Sequence, residues 1–344
     1  MKPRLEIRFT PQKQRIFCSG KRYEPVQGEF LLNHARCGIM LALKALNLPA
    51  GSSVGVMAYN CHTVFNAIAQ AGFSPSFIDV THRLVLDLED LRRKRSSIKA
   101  LIVTHLFGFV NDIASIRQEF PDLPIIEDGA HATGLDKYSG DFTVFSIGQG
   151  KLPSLGDGGI LHVNNKAFLE KTKQLIKSLP DYSFAGEFRL FGALLFKSLL
   201  YQPWIYPWLT QPLKRNRKPS SGIETIFPRK MSAGVRALYQ AELKTLPETI
   251  RQRRQNATKM GVFLEKIPGV KEVFTGSING FMVVVWCEDL ASVRDDLRKQ
   301  GIEAETHFSN CLHWAQSFGY TEGLCPNTEI ILGHLLMVPT YSIR

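Results

Sequence analysis

An α/β fold is predicted: a large domain built on a mostly parallel sheet, followed by a small C-terminal α+β domain. Three observations predict it. Through the first half, short apolar runs alternate with stretches of helical spacing, the rhythm of strands joined by helical crossovers. A long helical pattern, Met231 to Ile267, then leads into a second, shorter set of elements. The 344 residues, 44% apolar and 21% charged, also suffice for about two domains of ordinary globular composition. The expected division is an arm at 1–30, a large domain at 31–240 with an insert at 188–218, and a small domain at 241–344.

Each element follows from its own stretch. Residues 1–30 are basic with little periodicity and read as an arm over the surface. Arg36 to Leu48 carries Ile39, Met40, Leu43 and Leu46 at helical spacing and ends at Pro49-Ala-Gly51. Val54–Met57 reads as a strand, His62–Ala71 as a helix and Ser76–Asp79 as a strand. A helix at Leu86–Lys94, a buried strand at Ala100–Thr104, a helix at Ile113–Phe120 and a strand at Ile125-Ile126 follow. Phe142–Phe145 and Ile160–Val163 are further apolar strands, and Ala167–Ser178 is a helix. Sheets of this kind bind ligands at their C-terminal strand ends, where Asp79, Asp128 and Ser146 are expected.

Phe188 to Leu209 has a single charge after Arg189, Lys197, and is rich in Leu, Phe, Trp and Tyr. Pro203 and Pro207 interrupt it, leaving too short an apolar run to span a bilayer. It reads either as a lid or packing insert on a soluble dimer, or as an interfacial segment. The second reading rests on Trp204, Tyr206 and Trp208 beside the basic run Lys214-Arg-Asn-Arg-Lys218. Beyond it, Gly280–Cys287 reads as a strand, Ser292–Gln300 as a helix, Ile302–Thr306 as a strand and Glu329–Met337 as the last helix. No internal repeat or low-complexity segment is evident.

The net charge is +11, from 42 basic and 31 acidic residues. Such a balance favours anionic partners, although a basic surface that only confers solubility is the commoner explanation. Six cysteines, at 18, 37, 61, 287, 311 and 325, form no CxxC pair and no zinc spacing, as expected of reduced, mostly buried thiols in a cytosolic protein. No signal peptide is recognised at the start.

The chemistry concentrates in residues 124–159. Pro124-Ile-Ile-Glu-Asp-Gly-Ala-His131 puts Asp128 at the end of a strand. The strand Phe142–Phe145 then runs through Ser146 into a turn bearing one lysine, Lys151, and a glycine cluster, Gly156, Gly158 and Gly159. Glycine-rich backbone around a lone lysine is entropically costly and makes sense where the lysine must reach a ligand. A strand-end acid with a loop lysine suits pyridoxal 5′-phosphate (PLP). The amine condenses with the aldehyde, and the carboxylate keeps the pyridine nitrogen protonated so that the ring can act as an electron sink.

Ile126-Glu-Asp-Gly-Ala-His-Ala-Thr-Gly134 and Phe145-Ser-Ile-Gly-Gln-Gly-Lys151 with Gly156-Asp-Gly-Gly159 resemble, in order and spacing, two motifs of the DegT–DnrJ–StrS family of sugar aminotransferases. The resemblance runs from about Asn33 to about Pro339. It implies PLP fold type I, with Lys151 as the lysine that binds the cofactor and shuttles protons, and Asp128 as the partner of the pyridine nitrogen. His131 would lie against the ring near its phenolic oxygen. Ser146 would bind phosphate together with the turn Ala35-Arg36-Cys37, where arginine stands in place of the usual threonine. Relatives stack an aromatic residue on the ring from the helix start after the second strand. Alignment puts Cys61 there, with Tyr59 or His62 available after a small shift. Phe227-Pro-Arg-Lys-Met-Ser232 faces a loop that in relatives reaches the partner subunit's phosphate. Pro228 replaces the asparagine of that loop, leaving Arg229 or Lys230 for the contact. His307 resembles a histidine near the substrate mouth.

The function implied is transfer of an amino group from an amino acid, glutamate being expected, to a keto group on an anionic nucleotide-linked sugar or related polyol. A homodimer with shared sites is implied; peripheral membrane contact is the expectation of the interfacial reading of 188–218, and nucleic acid is not expected. Some relatives carry histidine in place of the lysine and act as dehydratases, so Lys151 argues for transamination. The alternatives are PLP-dependent elimination or dehydration on a sugar, and a regulatory or binding protein on the same fold.

Overall fold

The computed structural model describes residues 9–19, 23–202, 204–205, 208 and 222–340. Seven strands form the main sheet: β1 (Glu29–Leu32), β2 (Ser53–Met57), β3 (Ser74–Ile78), β4 (Ala100–Thr104), β5 (Ile125–Asp128), β6 (Phe142–Ser146) and β7 (Gly159–Val163). Their spatial order is β1-β7-β6-β5-β4-β2-β3. From β3 to β6 neighbours run parallel, while β7 is antiparallel to both β6 and β1. Every residue of β4, β5 and β6 is buried, so none of them shows the alternation of a half-exposed strand.

The helices are α1 (Pro11–Cys18), α2 (Ala35–Ala45), α3 (His62–Gln70), α4 (Leu88–Lys94), α5 (Ile113–Glu119), α6 (Leu169–Lys177), α7 (Phe184–Leu200), α8 (Ala233–Leu243), α9 (Leu246–Leu264), α10 (Leu290–Lys299), α11 (Cys311–Gln316) and α12 (Pro326–Leu332). On one face of the main sheet, Ile39 and Leu43 of α2 and Phe65 of α3 pack against Ile102, Phe142 and Val144. On the other, Leu101, Val103 and Ile125 meet Leu91 and Ile113, and also Met282 and Met337 of a second sheet with Phe281 just before it. That sheet is antiparallel, in the order β10 (Leu335–Pro339), β9 (Met282–Cys287), β8 (Val270–Phe274). Its far face, with Val283, Val285, Leu336 and Val338, is covered by Met260 and Leu264 of α9 and Val293 and Leu297 of α10. Met282 to Cys287 is thus apolar because both of its faces are buried.

Four expectations are corrected. Residues 1–30 contain more than an arm: α1 is capped by Thr10 and anchored by Phe17, and β1 closes the sheet edge against β7. With one buried residue in α1, no period was there to read. Met231–Ile267 is two helices, broken at Thr245 just before Pro247, which sits in the first turn of α9 where its missing N–H costs nothing. Glu329–Met337 is not one helix: α12 ends at Leu332, and Leu335–Pro339 is strand β10. Ile302–Thr306 forms no strand and contributes only a bridge from Glu305 to Met337. Pro203, Tyr206, Pro207 and the run Lys214–Lys218 lie outside the described residues. Among those described, no helix is long and apolar enough to cross a membrane.

Candidate active site

The chain reverses direction across the sheet between β2 and β4, and a crevice opens at the strand ends beside that point. It is a cleft of about 250 Å³, bordered by the ends of β4, β5 and β6, the starts of α2 and α3, the Gly148–Gly158 loop and Phe308. A larger cleft of about 1240 Å³ lies along α9, lined by residues such as Leu135, Ile250 and Val273, and holds neither Lys151 nor Asp128. The chemistry lies in the smaller one.

Asp128 ends β5 and is buried. Its Oδ1 accepts the Ala130 N–H at 3.0 Å and its Oδ2 the Thr104 hydroxyl at 3.3 Å. Thr104 in turn accepts from Asn60 Nδ2 at 2.8 Å, so an amide and a hydroxyl from the two strand ends flanking the crevice aim the carboxylate. Burial raises the Asp128 pKa; the Ala130 N–H, the Lys151 charge, the Thr104 hydroxyl and His105 oppose that.

His131 is buried in an aromatic stack, its ring 4.6 Å from Phe281 at 19° and 5.8 Å from Phe308 at 9°. The Phe107 N–H donates to its Nδ1 at 3.3 Å, which selects the tautomer protonated at Nε2. Phe107 and Phe308 hold positive φ, 53° and 57°, conformations costly for bulky residues and tolerated where packing over-determines them. Lys151 Nζ stands 5.9 Å from the centroid of the Phe281 ring.

The opposite end suits an anion. No side chain caps the first turn of α2, whose Ala35 and Arg36 line the cleft with Ser146. Arg36 Nη1 pairs with Glu224 at 3.1 Å, while its buried Nε has no hydrogen-bond partner among the described residues. A Cβ at Gly159 would collide with the backbone of His34 and Ala35, so only glycine lets β7 press against this helix start. His34 Nδ1 lies 2.9 Å from Asp157 Oδ1, which also accepts the Gly158 N–H. A helix start without a side-chain cap, a hydroxyl and an orphaned guanidinium nitrogen fit a phosphate. Asp128 and Lys151 at the other end fit a pyridine aldehyde.

Lys151, Asp128, His131, Ser146, Ala35, Arg36 and Cys61 therefore all line the cleft, as the sequence suggests. Six expected residues do not. Cys37 is fully buried in the core, where desolvation pushes its thiol up to about 12. Tyr59 is buried against Phe107 and Phe308, its hydroxyl donating to the His307 carbonyl at 2.7 Å, so its ring is not available for stacking. His62 points the other way, edge-on to Trp314 at 4.7 Å. His307 packs on Phe308 and His131 without bordering the cleft. Arg229 is exposed over the Tyr182 ring at 5.9 Å and also lies outside the lining. Lys230 pairs with Asp181 at 3.2 Å. Phe308 is the aromatic side chain that reaches the cleft. It was missed, as were Thr104, Asn60 and His34. The signal for Thr104 and Asn60 was a polar residue closing an apolar strand run.

A mostly parallel sheet with a loop lysine and a strand-end carboxylate facing a helix start suited to a phosphate is the arrangement of a fold type I, PLP-dependent transaminase. The chain belongs to the DegT/DnrJ/EryC1/StrS aminotransferase family, whose profile matches residues 31–195 and 209–343. It is an aminotransferase, and its cofactor is PLP. It is 26% identical over 344 residues to an uncharacterized protein of Methanocaldococcus jannaschii, with 90% of this chain and 80% of that one covered. It is also 26% identical over 295 residues to dTDP-4-dehydro-2,3,6-trideoxy-D-glucose 4-aminotransferase of Saccharopolyspora spinosa, covering 81% of this chain and 70% of that one. Its fold matches a sugar aminotransferase of Micromonospora echinospora with TM-score 0.72 at 18% identity, covering 99% of this chain and 95% of the other.

Proposed function

We propose that the protein transfers an amino group from glutamate to a keto group on a nucleotide-linked sugar. The observation that carries this reading is the meeting of Lys151, Asp128 and the α2 helix start in one cleft. Bound PLP supplies an aldehyde and an electron-withdrawing ring. Lys151 Nζ removes the α-proton of the donor and returns a proton to the carbon of the acceptor. Asp128, whose burial is opposed by the Ala130 N–H, the Lys151 charge and the Thr104 hydroxyl, would hold a proton at the pyridine nitrogen. His131, fixed as the Nε2–H tautomer, serves as a donor beside the ring. Ser146 and the backbone N–H groups of Ala35 and Arg36 bind the phosphate. In a homodimer with shared sites, Arg229 of one protomer would reach the phosphate in its partner. The net charge of +11 suits an anionic acceptor, and the S. spinosa relative, named for a dTDP-linked keto-sugar, supports that class.

The test is a visible absorption spectrum of the protein with PLP, then with excess glutamate, for wild type and Lys151→Ala. A cofactor band in the wild type that glutamate bleaches, and that the variant fails to form or to discharge, is expected. Absence of any band in the wild type would refute the reading.

A further inference from the structure

Helix α7 is apolar on two sides. Leu190, Phe191, Leu194 and Leu195 pack inward with Phe9 and Phe17, and Ser198 Oγ accepts the Phe9 N–H at 3.1 Å. The outward side carries Phe184, Phe188, Phe196 and Leu199, which are 88%, 72%, 62% and 50% exposed and recur at helical spacing along one face. Trp204 and Trp208 follow, 71% and 85% exposed. Apolar surface of this extent marks a contact site.

The charges say what it contacts. The one carboxylate of α7, Glu187, is turned inward: its Oε1 accepts the Ala233 N–H at 2.8 Å and its Oε2 the Ser232 hydroxyl at 2.6 Å, at the start of α8. The remaining charges of the helix, Arg189 and Lys197, are both positive. We propose that this face of α7, with Trp204 and Trp208, docks on the surface of an anionic lipid bilayer, the helix lying in the plane of the interface.

Arg189, at the flank of the stripe, then meets lipid phosphates while the phenylalanines enter the acyl boundary, and the tryptophans take the amphipathic position they favour at such boundaries. A two-fold contact with a second copy through this face would instead bring in a second Arg189, with no carboxylate on the stripe to balance it. At 17 residues the helix lies on a bilayer rather than through it. The proposal stands apart from the reaction assigned above, because none of these residues borders the catalytic cleft.

The test is flotation of the full-length, PLP-loaded protein with vesicles of equal parts phosphatidylcholine and phosphatidylglycerol, against phosphatidylcholine alone. Flotation with the anionic vesicles, weakened by high salt, is expected. Phe188→Glu with Phe196→Glu should cut partitioning by roughly tenfold or more, leaving transamination and elution volume unchanged. Arg189→Glu, which keeps the apolar stripe, should weaken it by on the order of tenfold. Absence of flotation, or equal flotation of the variants, would overturn the proposal. Loss of a dimer in the phenylalanine variant would do the same and assign the stripe to a second copy.

Discussion

The Thr104 hydroxyl receives the Asn60 amide and donates to Asp128, so it aims the carboxylate and, with the Ala130 N–H and the Lys151 charge, opposes the effect of burial on it. Thr104→Val keeps the shape and removes both bonds. It leaves a buried amide donor unpaired, at a cost of about 1–3 kcal/mol in stability. Transamination kcat should fall by roughly tenfold with the glutamate KM little changed, as steady-state kinetics at saturating PLP would show. Asp128→Asn, which cannot hold a proton on the pyridine nitrogen, should lower kcat by about two orders of magnitude or more in the same assay. An Asp128→Asn enzyme within a few fold of wild type would remove Asp128 from its assigned role. Lys151, Asp128 and Ser146 were legible because each follows an apolar strand at motif spacing. Tyr59, Cys37 and His62 were misread because a residue near a helix start can face cleft or core. That choice is made by Phe107, Phe308 and Trp314, which are remote in sequence.

At the scale of elements, Asp79 shows the same limit. It ends β3 as the sequence suggests, yet it serves as a strap rather than a ligand-binding group. Its Oδ1 accepts the Val80 and Thr328 N–H groups and the Thr328 hydroxyl, and its Oδ2 accepts the Asn327 N–H at 2.8 Å. The start of α12 is thereby tied to the main sheet, with the carboxylate favourably placed at a helix N-terminus. Asp79→Ala strands several buried donors and should destabilise the protein by roughly 3 kcal/mol in urea unfolding, while the activity per folded molecule stays near wild type. A large loss of activity without loss of stability would contradict the strap. Apart from β1, the strands of the main sheet were readable from local apolar runs. Strand β10 was not, because Leu335–Pro339 is buried on two sides and an apolar run without alternation does not distinguish strand from helix.

For the whole molecule, the burial that positions the site also sets its response to acid. His62, between α3 and Trp314, has its pKa lowered by burial, against the pull of Glu224. His162, on the edge-ward strand β7, is lowered by burial against Glu29. A histidine depressed in the folded state binds its proton more weakly there than in the unfolded chain, whose value is near 6.5. The unfolded state therefore takes up protons first, and the associated stability is present in full above pH 6.5 and is lost as pH falls through the lowered folded values. The melting temperature of the PLP-loaded protein should accordingly drop from about pH 7 to about pH 5. The drop should be shallower in the His62→Gln, His162→Gln double variant, whose side chains do not titrate. The carboxyl of Asp128 works with the opposite sign. Raised by burial, it costs the apo-protein stability as pH climbs from 3.8 through the folded value, and in its assigned role the pyridinium of bound PLP would offset that cost. PLP should therefore protect more strongly at neutral than at acidic pH; at a hundredfold excess over Kd its stabilisation amounts to about 2.7 kcal/mol. Scanning calorimetry of apo and loaded protein across this range separates the two groups. A pH-independent gap between the apo and loaded melting temperatures would show that Asp128 does not face the cofactor's charge.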